Sequence, residues 1–186
     1  IDLGNSQNGT GIYAELYEHQ SSESHFYRNT EVYNAGDIKI GENGIGIYAN
    51  TKKNPDLASS NLTMIVNNTG NITGTGANAT GIYLDNSTLP RTSNGSLTLA
   101  STSNIDLKNS KNGIGIYTDT ADISGTGAGT ITVGDNGIGI YAKNGIAALN
   151  NLTLNLYGDN AVGIYTDGIN SFTGNGTINL DGKGLI

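Results

Sequence analysis

The sequence has no cysteine, no tryptophan and only two prolines. Without cysteine there are no disulfides, thiolate nucleophiles or thiolate metal sites. A secreted chain of this kind needs a fold that is stable without bridges, as repetitive folds can be. Basic residues are scarce: nine Lys and Arg stand against sixteen Asp and Glu, for a formal net charge of −7. Arg28 and Arg91 are the only arginines. A phosphate backbone calls for a basic stripe, so nucleic acid is not an expected partner. Anionic membrane surfaces are disfavoured for the same reason. No apolar run approaches the ~20 residues of a spanning helix, so direct membrane insertion by this segment is not expected. Hydrophobic residues make up 35% of the chain, which is low for a compact globule.

Glycine, by contrast, is plentiful, at 28 of 186 residues. Ile, Leu and Val recur in short alternating runs, which argues against disorder. The tripeptide Gly-Ile-Tyr occurs six times, with its tyrosines at Tyr13, Tyr48, Tyr83, Tyr117, Tyr141 and Tyr165. The steps between them are 35, 35, 34, 24 and 24 residues. Five residues before each tyrosine stands an asparagine: Asn8, Asn43, Asn78, Asn112, Asn136 and Asn160. A small residue always follows it. The shorter interval is the basic unit, and the longer ones carry roughly ten extra residues. The pattern is already in mid-repeat at Ile1 and has restarted before Ile186, so a longer parent chain is expected.

Each unit reads as three short strands punctuated by Gly, Asn and Asp. In the compact units these fall at 131–133, 137–142 and 146–149, then at 152–156, 162–166 and 171–173. Three strands in ~24 residues form one coil of a parallel solenoid, each strand pairing with its equivalent ~4.8 Å along the axis. The fold expected for residues 1–186 is all-β: a single right-handed parallel β-helix segment of about seven coils. Alternation places Ile138, Ile140 and Ala142 inside, and Gly139 and Tyr141 outside. The tyrosines should therefore form an exterior column beside a column of glycines. That column is either architectural or a stacking platform for sugar rings. The asparagines, at a turn that needs left-handed backbone, should form a ladder.

The extra residues define three insertions, 15–33, 50–61 and 85–95, which should emerge at one corner of the first three coils. Insertions on one side of a repeat scaffold commonly carry binding. The candidate partner-binding residues are Tyr17, Phe26, Tyr27, Arg28, Lys52, Lys53 and Arg91. The alternative is a solvated covering loop. His19 and His25 have no fixed short spacing and do not predict a metal site. Asp85 and Asp119 should lie on adjacent coils, at a separation similar to a glycosidase pair. Turn aspartates are common after strands, however, and no catalytic residue, metal or cofactor is expected.

The repeated Asn-Gly-x-Gly-Ile-Tyr at 43–48 and 112–117 resembles the β-helical passenger repeats of large fusobacterial type V autotransporter adhesins, a family that includes a galactose-binding member. The resemblance covers nearly the whole chain. It implies adhesion to a host cell-surface receptor, a galactose-type glycan, an immune-cell receptor or another bacterium. It also implies a place on the bacterial cell surface, anchored in the outer membrane through a C-terminal barrel outside this sequence. A β-helical polysaccharide lyase or hydrolase and a phage tail-spike segment are the competing readings.

Overall fold

The computed structural model describes residues 1–17, 28–52, 54, 62–88, 96–101, 103–123, 129–144, 146–148, 150–168 and 171–182. Every regular element among them is a strand. The chain begins with β1 (Asp2–Leu3), β2 (Thr10–Tyr17) and β3 (Arg28–Asn34). It repeats that sequence with β4 (Ile38–Ile40), β5 (Ile45–Lys52) and β6 (Leu62–Asn68). Next come β7 (Ile72–Gly74), β8 (Thr80–Asp85) and β9 (Ser96–Ser101), then β10 (Asn104–Leu107), β11 (Ile114–Asp119) and β12 (Asp122–Ile123). The compact part holds β13 (Thr130–Val133), β14 (Ile138–Lys143) and β15 (Ile146–Ala148), followed by β16 (Thr153–Leu156), β17 (Val162–Asp167) and β18 (Ser171–Thr173). The series ends with β19 (Thr177–Leu180).

Every third strand joins the same sheet. Sheet A has seven strands in the order β1-β4-β7-β10-β13-β16-β19. Sheet B has six, from β2 to β17, and sheet C has six, from β3 to β18. Neighbours are parallel throughout, and each pairs with its equivalent from the next circuit. Parallel sheets want both faces protected or polar, and here the inner faces of all three converge on one core.

The core is built from stacked columns of like residues. Ile38, Ile72, Ile105, Ile131 and Leu154 stack in register on sheet A, each at most 2% exposed. Ile47, Ile82, Ile116 and Ile140 do the same on sheet B at 0% exposure. Val66, Leu99 and Ile123 contribute from sheet C. Each such side chain contributes about 1.5–3 kcal/mol by leaving water.

One face assignment drawn from alternation is overturned. Gly46, Gly81, Gly115 and Gly139 face the core, not the exterior. A Cβ on Gly46 would lie 2.5 Å from the Gly81 carbonyl oxygen and 2.8 Å from Ile72 Cγ2. One on Gly115 would lie 2.4 Å from Ile131 Cγ2. The residues before them, Ile45, Ile114 and Ile138, are only half-buried. The backbone bends just after the asparagine turn, so two consecutive residues point inward and strict period two slips by one position. Glycine is required there because a neighbouring backbone and an isoleucine methyl already fill the space. Beyond the bend alternation resumes: Ile140 is buried, Tyr141 faces out and Ala142 is buried.

Candidate functional site

Two corners and two outer columns carry most of the polar chemistry. At the corner between sheets A and B, all six repeat asparagines are left-handed, with φ from 52° to 58°. Gly visits that region freely and Asn more readily than most other residues, which explains the residue choice. Their amides interlock along the axis. Asn78 Nδ2 donates to Asn43 Oδ1 at 3.0 Å, and Asn112 donates to Asn78 at 3.0 Å. Asn136 donates to Asn112 at 3.3 Å, and Asn160 to Asn136 at 3.2 Å.

On the outer face of sheet B the tyrosines stack from Tyr13 to Tyr165. Successive ring centroids are 4.5–5.3 Å apart, with interplanar angles between 8° and 38°. Each interior ring is therefore covered on both faces by its neighbours. Sugar stacking needs a free ring face, so the column is better suited to shielding the sheet than to holding sugars. Burial holds the Tyr48, Tyr83 and Tyr117 hydroxyls above the usual phenol range, with nearby carboxylates adding to the effect.

Two residues past each tyrosine runs a second column, in register from Glu15 through Asn50, Asp85, Asp119 and Lys143 to Asp167. Asp85 and Asp119 are indeed neighbours across β8 and β11. Both are engaged as acceptors. Asp85 Oδ1 takes the Ser87 hydroxyl at 2.6 Å and the Ser87 N–H at 3.0 Å. Asp119 Oδ2 holds Lys143 Nζ at 3.0 Å. That carboxylate keeps the Lys143 ammonium above its ordinary range. The arrangement fits a turn acceptor and an ion pair better than an acid–base pair.

The corner between sheets B and C is where the insertions belong. The structure trims their boundaries: residues 15–17 belong to β2, Arg28–Asn34 is β3, and residues 50–52 belong to β5. Of the candidate binding residues, Tyr17 and Lys52 are brought together as register partners. Lys52 Nζ lies 2.7 Å from Glu15 Oε2, which also accepts the Tyr13 hydroxyl at 2.6 Å. Hydrogen bonds from Lys52 first, then from Tyr13, hold the Glu15 carboxyl below its usual range. Arg28 opens β3, paired with Leu62. Phe26, Tyr27, Lys53, Arg91, His19 and His25 lie outside the described residues.

Sequence reasoning missed three features. Thr51 and Asn86 are buried at this corner, where the Thr51 hydroxyl donates to Asn86 Oδ1 and Asn86 Nδ2 donates to the Thr120 carbonyl at 3.2 Å. Asn34 Nδ2 donates to Asn68 Oδ1 at 2.7 Å in a second, buried pair. Their separation of 34 residues was a usable signal. The third is a groove of about 620 Å³ on the outer face of sheet A, lined by Asp2, Asp37, Lys39, Asn71, Thr73 and Asp106 among others. Its residues are ordinary turn and strand types, so nothing in the linear sequence marks them.

No family model, curated protein or solved structure matches this chain. Among the described residues no group of three or more His, Asp or Glu side chains could hold a metal ion, and no helix is long and apolar enough to cross a membrane.

Proposed function

We propose that this segment is part of a bacterial surface adhesin, a right-handed β-helix of about seven coils within a longer secreted passenger. The handedness follows the strong rule for parallel crossover connections. The observation that carries the reading is the combination of three parallel ladders with an outward asparagine ladder, a stacked tyrosine column and aspartates engaged by turn donors and a lysine. Such a scaffold projects surface away from a membrane and presents it without chemistry. The partner is a host cell-surface receptor or a glycan, galactose-type by resemblance, and the anchor is an outer-membrane barrel. A β-helical polysaccharide lyase or hydrolase would need carboxylates free to act on substrate with a positioned base. Asp85 and Asp119 are instead held by a serine turn and a lysine.

The test is adhesion of the purified segment to epithelial cells and to a glycan array with galactose-terminated members, alongside a reducing-end assay on acidic polysaccharides. Saturable binding without turnover supports the proposal. Turnover that Asp85→Asn or Asp119→Asn abolishes would replace it with the enzymatic reading.

A further inference from the structure

The corner between sheets A and B varies in length from circuit to circuit. Four residues, 108–111, lead from Leu107 to Asn112, but only two, 134–135, lead from Val133 to Asn136. Three, 157–159, lead from Leu156 to Asn160. Leu107, Val133 and Leu156 are register partners, so these three turns stack. The short middle turn leaves a notch between two longer ones. Gly134 keeps it open, because a Cβ there would lie 2.1 Å from the Lys108 carbonyl oxygen. The notch holds about 280 Å³, and its side chains come from Lys108, Asn109, Lys111, Asp135 and Tyr157. It lies within the stack, since β10 pairs with β7 on one side and β16 with β19 on the other.

Three kinds of group meet there. Lys108 and Lys111 are both exposed, and neither ammonium has a carboxylate partner among the described residues. Lys52 and Lys143, by contrast, are held in ion pairs. Asp135 accepts the Asp159 N–H through Oδ1 at 3.0 Å, which leaves Oδ2 without a partner among the described residues. Tyr157 stands apart from the tyrosine column and is 39% exposed. Among the described residues it stacks on no other ring, and Lys108 Nζ lies 3.9 Å from its ring centroid. That contact alone would be a brace between circuits across Gly134. It does not account for Lys111 or for the Asp135 oxygen.

We propose that this notch binds a carboxylated sugar, a sialic or uronic acid residue of a glycan. The inference rests on the glycan reading above and names the chemical class and the place. Two unpaired ammoniums call for an anion, and charge-assisted hydrogen bonds to a carboxylate are among the stronger ones available. A bare phosphate satisfies the lysines but faces Asp135, which repels it. A sugar acid satisfies all three kinds of group at once. Its carboxylate accepts from Lys108 and Lys111, a hydroxyl donates to Asp135, and its apolar ring face packs on Tyr157. The tyrosine column cannot offer this, because its interior rings are covered on both faces. The notch has room for about one sugar ring, well below the volume of most drug-sized pockets.

The experiment titrates the whole segment with sialyllactose, a glucuronate-terminated disaccharide, lactose and inorganic phosphate, read by ligand-observed NMR. At least one of the two acids should bind, and which one names the source. Lactose and phosphate should bind about tenfold more weakly or worse, as expected when hydrogen bonds to charged groups are lost. Lys111→Ala should weaken acid binding by a similar factor, with an unchanged melting temperature. Tyr157→Ala should do the same, and Lys111→Ala decides the matter if the tyrosine variant does not fold. Failure of both acids to bind overturns the proposal. So does phosphate or lactose binding as tightly as the acids, or undiminished acid binding in Lys111→Ala. The adhesin reading fails separately, on cell attachment. Attachment without acid binding overturns only the notch, and acid binding without attachment overturns only the adhesin reading.

Discussion

The early circuits and the late ones solve the same corner differently. In the early part β2 and β5 run past the corner to Tyr17 and Lys52, and the chain takes 35 residues between repeat tyrosines. Buried Thr51 and Asn86 line that corner. In the late part the interval is 24 residues, and the described residues of the turn include one in left-handed backbone: Thr120, Asn144 or Gly168. Sheets A and B keep their register across both regions. Closure of the core is therefore independent of what the corner carries. A scaffold of this kind accepts additions at one edge because its cohesion comes from columns along the axis.

The sharpest break in that comparison is a column residue in the middle of the stack. Ile82→Ala removes a fully buried side chain between Ile47 and Ile116. We expect a loss of about 2–5 kcal/mol, measured by urea denaturation, and the same order for Ile140→Ala in the compact part. A large difference between the two would show that the insertions alter core packing. Gly115→Ala tests the bend. With Cβ aimed at Ile131 and the Gly139 carbonyl, we expect destabilisation of about 1–3 kcal/mol. A glycine facing solvent in a strand would instead tolerate alanine or gain from it.

That glycine also marks the limit of sequence reading. The repeat, the three strands per unit and the inward Ile of Gly-Ile-Tyr follow from spacing, because side chains on stacked strands must recur with the coil. The asparagine turn was legible because few residues adopt positive φ. The bend was not, because period two is a local rule and Gly115 is placed by atoms of Ile131 and Gly139, sixteen and twenty-four residues away. The same holds for the ion pair between Lys52 and Glu15. Each residue is unremarkable alone, and only the register of β2 with β5 makes them meet. Insertion boundaries were drawn too wide for a related reason: strand pairing extends into polar sequence as long as the adjacent circuit offers a partner.

Asn136 probes the ladder that both regions share. Asn136→Ala should cost about 1–2 kcal/mol, through one or two lost hydrogen bonds and the strain of a Cβ at positive φ. Asn136→Gly keeps the backbone and should cost less, so the difference between the two variants separates strain from bonding. The tyrosine column gives a pH test. Tyr48, Tyr83 and Tyr117 hold their protons more tightly when folded, chiefly through burial. Their contribution is complete below the unfolded phenol range and declines as pH rises through the folded values. Melting temperature should fall on the alkaline side, and less so in Tyr83→Phe.

The smallest expected effect on stability comes from the corner itself. Deleting residues 18–27 leaves β2 and β3 whole, because Tyr17 ends the first and Arg28 opens the second. A short Gly-Asn linker can replace them, since Asn144 with its φ of 54° turns the chain at the equivalent point of a compact circuit. Loop length enters closure entropy only logarithmically, at about 0.6 kcal/mol for each doubling. The shortened protein should therefore melt close to the parent and keep its tyrosine and asparagine ladders. Phe26 and Tyr27 are lost, and aromatic residues of this kind commonly dominate contact energetics. If the corner is the contact surface, adhesion falls sharply while the melting temperature stays. Full adhesion in the deletion variant would move the search to the sheet A groove around Asp37, Lys39 and Asn71, where Lys39→Ala and Asn71→Ala test that surface without touching the core columns.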